Sequence, residues 1–296
     1  IAAIAVDRRT RRVLMKKWMI LSLLCVFVFS CSKNDLPAFN KIESPRVLAI
    51  KADKPEANPG DLITLTAVIS DLSATTGVQD SLQVCIDLGI AYGASATCEG
   101  NPTKFIVHSH RVLTLPGLAE NWTGVTDAAS FTLPLEAVIF NQRSDQDKYN
   151  GVNYIIEYTL HSPSGVNITA IKRIAVTEAS KINKNLNPTF TDIFANNVSM
   201  VNLPVGAVVN LSSDLTNASA ENYSIKDNQG NLKNYTEDLT ITWFITDGET
   251  KYYRSLVGDV NEYTGPGTAP TARSAYILAV ARDDRGGVVV IKKKLN

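Results

Sequence analysis

Two histidines set two residues apart are the first candidates for metal chemistry in this sequence. His108 and His110 lie in the segment 105–113, whose pattern predicts a β-strand. Side chains two apart on a strand point to the same side, so both imidazoles could approach one zinc ion, which usually takes three or four protein ligands. The third histidine, His161, is distant in sequence, and no carboxylate is marked as a further ligand. We therefore expect a solvated strand face, with no metal site and no cofactor.

Acidic loops are the second candidates, because carboxylate oxygens bind calcium. Asp283 and Asp284 precede Arg285-Gly286-Gly287, and Asp227 opens the polar run 227–231. A calcium loop needs several alternating oxygen ligands around a glycine and a distal glutamate, and neither loop has that spacing. Acids in such positions commonly accept hydrogen bonds from the backbone of a turn. We expect both loops to be turns.

Catalytic motifs do not occur in the sequence. It contains no Gly-x-Ser-x-Gly, no His-Glu-x-x-His, no phosphate loop and no dinucleotide fingerprint. A dispersed triad stays open as an alternative, because its members need not be near one another in sequence. With three histidines in 296 residues, we expect a protein that is not an enzyme and predict no catalytic residue.

The elements that must position these residues are β-strands. Apolar and polar residues alternate at period two in 61–70, 81–88, 152–160 and 239–245, which predicts strands with one buried face. In the second of these segments the alternation puts Leu88 on the buried face and Cys85 on the opposite, polar face. Helical periodicity is confined to one turn at 134–140. The fold class is expected to be all-β.

Turn sequences divide the strands into two tandem sandwiches. Pro- and Gly-rich turns at 162–165 and 283–287 each close a hairpin at the end of a segment of roughly 100 residues, a size that suits one core. The polar segment 178–187, which follows the first hairpin, is expected to be a linker between the two sandwiches. We predict one domain over 45–178 and a second over 186–296.

An apolar run near the start of the chain predicts export. Lys16 and Lys17 precede the apolar residues 18–29, a run shorter than the about 20 residues that span a bilayer. A basic start followed by a short apolar core is typical of a secretory signal peptide. Met15 is the expected start, with 1–14 as an over-extended reading frame. A long basic leader is the alternative, and both give the same mature protein.

The apolar run ends on Ser30-Cys31, which resembles the lipobox of bacterial lipoproteins. In that family the signal peptide is removed before the cysteine, which then carries lipid. The resemblance implies a leader over 1–30, lipid attachment at Cys31, a flexible tether over 31–44 and anchoring to a membrane of the bacterial cell envelope. Ser32 after the cysteine resembles the signal for passage to the outer membrane.

Removal of the leader changes both the charge and the cysteine count. The leader holds six of the 29 basic residues but one of the 29 acidic residues, so the mature chain carries a net charge of −5. An acidic protein without a basic patch is not expected to bind nucleic acid. Because Cys25 falls in the leader and Cys31 takes the lipid, Cys85 and Cys98 remain as an expected disulfide in an oxidising compartment. The alternative of a metal-binding or catalytic thiol lacks a Cys-x-x-Cys motif.

The mature chain also resembles bacterial immunoglobulin-like domains. The resemblance is carried by the segments 46–55, 58–61 and 276–283, by Trp243 and by a corner tyrosine, Tyr276. It implies two tandem immunoglobulin-like Greek-key β-sandwiches. One departure is that the long-range disulfide of antibody-type domains is missing, since Cys85 and Cys98 are close in sequence.

These features favour a lipid-anchored, non-catalytic binding or scaffold module of the cell envelope. Its expected partners are the membrane, through the lipid on Cys31, and a protein or glycan that the sequence does not identify. One alternative is an enzyme or accessory subunit that acts on envelope polymers, which predicts a cleft with converging carboxylates or histidines. A second alternative is a structural component of an envelope complex.

Overall fold

The computed structural model describes residues 39–71, 77–89, 94–113, 122–271 and 273–296. These residues form many β-strands and two short α-helices, which confirms the all-β prediction. The leader and Cys31 lie outside the described residues. Among the residues described, no helix is long and apolar enough to cross a membrane.

Eight strands form the first sandwich. They are β1 (Arg46–Ala52), β2 (Glu56–Ala57), β3 (Leu62–Asp71), β4 (Gln79–Ile86), β5 (Phe105–Val112), β6 (Trp122–Thr132), β7 (Val152–His161) and β8 (Asn167–Val176). One sheet has the strand order β1-β3-β6 and the other has the order β2-β8-β7-β4-β5. This division of the strands between two sheets is that of an immunoglobulin-like sandwich.

Two short helices connect β6 to β7. They are α1 (Glu136–Ile139), which lies in the turn predicted at 134–140, and α2 (Asp145–Asn150), which was not predicted. A capping box begins α2: the Asp147 N–H donates to the Ser144 hydroxyl at 3.1 Å, and the Ser144 N–H donates to the Asp147 carboxylate at 3.2 Å. The Ser-x-x-Asp spacing was therefore the overlooked signal for this helix.

The second sandwich contains the remaining strands. They are β9 (Ile193–Ala195), β10 (Val198–Ser199), β11 (Val208–Ser213), β12 (Asn222–Lys226), β13 (Leu232–Thr236), β14 (Thr240–Ile245), β15 (Glu249–Thr250), β16 (Arg254–Leu256), β17 (Asn261–Thr264), β18 (Ala275–Arg282) and β19 (Val288–Leu295). Its sheets have the orders β10-β9-β11-β17-β15 and β16-β14-β18-β19, and β12 and β13 form a separate hairpin between β11 and β14. The arrangement is again immunoglobulin-like.

Each sandwich encloses its own apolar core, and the predicted alternation places most side chains correctly. In β3, Ile63 and Leu65 point into the first core. In β14, Trp243 is fully buried in the second core, and its indole N–H donates to the Ser255 hydroxyl at 3.0 Å. The prediction for Leu88 is wrong, because β4 ends at Ile86 and the Leu88 side chain is exposed.

A third apolar cluster lies between the two sandwiches. Leu48 from β1 and Val68 from β3 belong to the same buried cluster as Phe244 from β14 and Leu278 and Val280 from β18. The outer face of one sheet from each sandwich is therefore covered by the other. Residues 39–296 form one compact unit as a result.

Two polar segments are packed, whereas flexible or linking chain was expected. Ile42, in the predicted tether, is fully buried, and its N–H donates to the Ile245 carbonyl at 2.8 Å. In the predicted linker, Lys181 and Asn185 are buried as well. Composition alone does not show that distant parts of the chain supply partners for these segments. The domain boundaries at 178 and 186 stay a prediction.

The expected disulfide between Cys85 and Cys98 is confirmed, with the two Cα atoms 5.6 Å apart. Cys85 points away from the first core, as predicted, but it is buried against Ile155 and the Cys98 side chain rather than placed on a polar face. The Cys98 N–H donates to the Glu157 carboxylate at 2.6 Å. The disulfide therefore fixes the loop after β4 against β7.

Loss of the disulfide should destabilise the first sandwich. We expect Cys85→Ser combined with Cys98→Ser to lower the free energy of unfolding by about 3 kcal/mol, because the denatured chain gains the entropy of an open loop. Urea unfolding measures the change. Reduced wild-type protein is the control and should match the double variant, whereas a variant as stable as the oxidised protein would contradict a stabilising role.

Candidate functional site

The structure separates the two histidines that were predicted to share a strand face. The pairing of β4 with β5 shifts so that Ser81 stands opposite both Ser109 and His110, which is a β-bulge. His110 has a φ of 47°, in the left-handed region. The His108 Nε2 lies 2.9 Å from the Asp80 carboxylate. The predicted same-side placement is wrong, because the bulge interrupts the two-residue alternation.

The bulge brings His110 against His161, a contact that the sequence did not indicate. The two imidazole rings stack with their centroids 4.3 Å apart. The His161 Nε2 lies 2.9 Å from the Ser81 Oγ, and its Nδ1 lies 2.9 Å from the Asn167 Oδ1. Because the Asn167 side-chain oxygen can only accept, the His161 Nδ1 carries a proton, and in the neutral ring the Nε2 accepts from the Ser81 hydroxyl.

The Ser81–His161–Asn167 chain has the connectivity of a nucleophile, a base and an orienting group. The His110 backbone N–H also donates to the Ser81 Oγ, at 3.0 Å, which stabilises negative charge on that oxygen. Both His161 nitrogens already have partners within the protein, Ser81 and Asn167. In the part of the chain that the structure describes, no group of three or more His, Cys, Asp and Glu side chains could hold a metal ion.

A buried charge cluster lies beside the bulge. Arg111 donates to Asp80 at 2.8 and 3.1 Å and also contacts Asp127. Burial opposes ionisation of Asp80, but hydrogen bonds from Arg111 and His108 outweigh it, so the pKa of Asp80 is lowered. Burial and the Asp80 carboxylate raise the pKa of Asp127 to about 6. The cluster links β6 of one sheet to β4 and β5 of the other, so it fastens the edge of the sandwich.

The two acidic loops are turns held by their own carboxylates, as predicted. The Asp283 Oδ1 accepts from the N–H groups of Arg285 and Gly287, at 2.9 and 2.6 Å. A Cβ on Gly287 would lie 2.0 Å from the Asp283 Oδ2, so this turn requires glycine there. Asp227 accepts two backbone N–H groups of its own loop, at 3.0 and 2.9 Å.

A buried charge network joins the sandwiches where the turn between β18 and β19 meets β2. Glu56 of the first sandwich accepts from Lys181 at 2.8 Å and from Arg285 at 2.6 Å. Arg285 also donates to Glu237 of the second sandwich, at 3.0 Å. Burial opposes ionisation of Glu56, but the contact with Lys181 outweighs it, so the pKa of Glu56 is lowered. Each sandwich thus supplies one carboxylate to a shared guanidinium.

A cleft of about 360 Å³ lies beside this network, lined by parts of β1, β8 and the turn after β18. The Lys172 ammonium in its wall is buried and donates to the Gly286 carbonyl oxygen. Burial lowers the pKa of Lys172 to about 8 and that of Arg282 to about 10. Arg282 donates to the Leu48 carbonyl at 3.0 Å. Both cations thus link one sandwich to a backbone carbonyl of the other.

Comparison with known proteins gives only weak structural likenesses. No protein-family model and no curated protein matches the sequence. Red sea bream transglutaminase is 8% identical with a TM-score of 0.27, over 86% of this chain and 32% of that protein, so the chain spans about a third of its length. The Ig1-2 module of Drosophila receptor protein tyrosine phosphatase DLAR is 13% identical with a TM-score of 0.24, over 86% and 98% of the two chains. Yersinia pseudotuberculosis adhesin InvE is 12% identical with a TM-score of 0.20, over 84% and 58%. With TM-scores this low, the fold assignment rests on the strand order of the chain itself.

Replacement of Arg285 should weaken the joint between the sandwiches. We expect Arg285→Met to lower the free energy of unfolding by about 3 kcal/mol, because it leaves the buried Glu56 and Glu237 carboxylates without a shared cation. Urea unfolding measures the loss. Lys251→Met is the matched control: the Lys251–Glu262 pair is about half exposed, and its removal should leave the free energy of unfolding nearly unchanged. Equal losses in the two variants would contradict a special role for Arg285.

Proposed function

We propose that this protein is a lipid-anchored, non-catalytic binding or scaffold module of the bacterial cell envelope, and that it reaches the outer membrane. The observation that supports this proposal is the fixed joint between two immunoglobulin-like sandwiches, made by a buried apolar cluster and the Arg285 network. A fixed pair of sandwiches can hold its loops and sheet edges at a constant separation, which suits presentation to a partner.

The partner is proposed to be a protein or a glycan. Among the residues that the structure describes, β5 is the last strand of its sheet, and it carries exposed Phe105, Ile106 and Val112 side chains. Edge strands of this kind offer unpaired backbone groups and apolar contacts to an added strand. A structural role within an envelope complex uses the same surfaces, and it differs in that the partner is another envelope protein of the same cell.

Lipid attachment at Cys31 is the part of this proposal that is most directly testable. We expect Cys31→Ala to move the protein from the membrane fraction to the soluble fraction, because no acyl chain can then be attached. Ser32→Ala is the control and should leave the protein with the membranes. Immunoblots of the fractions measure the distribution. A Cys31→Ala protein that stays with the membrane would show that the lipobox interpretation is wrong.

An enzyme is the second candidate, favoured by one observation: the hydrogen-bonded order Ser81–His161–Asn167. In that case the Ser81 Oγ would attack an acyl carbon, and His161 would take the hydroxyl proton and return it to the leaving group. Ser81 and His161 are partly buried on the outer face of the β4–β7 sheet, so a substrate would bind across the strands.

A fluorophosphonate probe separates the two functions. A nucleophilic Ser81 would be labelled in peptide mass maps, and His161→Ala would abolish the labelling because the base is gone. Ser109, across the bulge, is the internal control serine. For a non-catalytic module we expect no more label on Ser81 than on Ser109. Labelling of Ser81 that depends on His161 would favour the enzyme.

A further inference from the structure

An exposed apolar surface lies at the edge of the second sandwich. We call it the aromatic patch, and it consists of Phe39, Tyr252, Tyr253, Leu256 and Val260. Each of these side chains belongs to a residue that is between 54% and 61% exposed. All but Phe39 line one concavity of about 560 Å³, and the Phe39 ring centroid lies 5.6 Å from that of Tyr253. Contiguous exposed apolar surface of this kind marks an interaction site.

The patch begins close in sequence to the predicted lipid attachment at Cys31. Residues 40–42 are pinned to the end of β14: the Ile42 N–H donates to the Ile245 carbonyl at 2.8 Å, and the Ile245 N–H donates to the Asn40 carbonyl at 2.9 Å. Phe39 directly precedes this contact with the second sandwich. Seven residues lie between it and Cys31, so eight Cα–Cα steps join the two. A fully extended chain of that length spans at most about 29 Å.

The chemistry of the patch suits a lipid surface. Tyrosine combines an apolar ring with a hydroxyl and is enriched at membrane–water interfaces. Two cations lie over the rings: the Lys251 ammonium is 5.7 Å from the centroid of Tyr252, and the Arg46 guanidinium is 5.7 Å from that of Phe39. Both cations have partners in the protein, Glu262 for Lys251 and the Phe39 carbonyl oxygen for Arg46, so the exposed rings carry the proposed contact with lipid.

We propose that the aromatic patch rests on the surface of the lipid bilayer that holds the anchor. The anchor confines the patch to the neighbourhood of the bilayer, and the patch then fixes which face of the second sandwich is turned toward the lipid. This inference rests on the proposed lipid attachment at Cys31. It adds an orientation to that function, because a lipid on a tether alone leaves the module free to rotate.

Hydroxyl-radical footprinting with mass spectrometry tests the orientation. The lipidated protein is reconstituted into phosphatidylcholine vesicles and recovered by flotation, and it is compared with soluble Cys31→Ala protein. We expect several-fold less oxidation of Tyr252 and Tyr253 on the vesicles. Tyr235 and Phe105, which are 43% and 58% exposed, lie outside the patch and should be oxidised equally in both samples.

Variants and outcomes keep the two proposals distinct. Tyr252→Ser combined with Tyr253→Ser should still float with the vesicles but should restore oxidation of Phe39. Phe105→Ser, on β5, is the matched control and should leave the protection unchanged.

Equal oxidation of the patch tyrosines in floated and soluble protein would overturn the membrane contact while leaving the anchor intact. Protection that appears without vesicles would indicate self-association and would also overturn it. Failure of the wild type to float would count against the anchor instead.

Discussion

The joint between the two sandwiches depends on one guanidinium. Arg285 lies in a turn whose shape is set by Asp283, which accepts two backbone N–H groups of that same turn. From there Arg285 reaches a buried carboxylate on each sandwich, Glu56 and Glu237. Burial of carboxylates is costly without a cation, so the turn, the guanidinium and both acids must come together as a set. The apolar cluster supplies contact area, whereas the charged set admits few relative orientations of the sandwiches.

The segments that precede and connect the two sandwiches also contribute contacts to the joint. Residues 40–42 pair with Ile245 of the second sandwich before the chain enters β1 of the first. The segment between the sandwiches is also held in place, because Lys181 donates to Glu56 and the Asn185 N–H donates to the same carboxylate. Neither connection therefore behaves as a free hinge. Independent motion of the sandwiches would require several buried polar groups to lose their partners together.

Sequence reasoning succeeded where the determinant of structure is local. The alternation in β3 and β14 predicted which side chains enter each core, because the two-residue period of a strand is a property of the strand itself. It failed where the determinant is a partner far away in the sequence. Lys181 and Asn185 were predicted to be linker residues because the sequence shows that they are polar. It does not show that Glu56 is their partner. His110 and His161 meet because a bulge in β5 alters its pairing with β4. The alternation of residues within one strand does not show how that strand is aligned with its neighbour.

The joint also connects the predicted anchor to the first sandwich. Because residues 40–42 are hydrogen-bonded to Ile245, the restraint that a lipid on Cys31 would impose would pass through this contact with the second sandwich. The first sandwich follows through the apolar cluster and the Glu56–Arg285 contact, together with the short stretch between Ile42 and β1. Its position relative to such an anchor would therefore depend on side chains at the joint. A change at Arg285 would alter where the first sandwich presents its edge strand β5 without touching either the anchor or that strand.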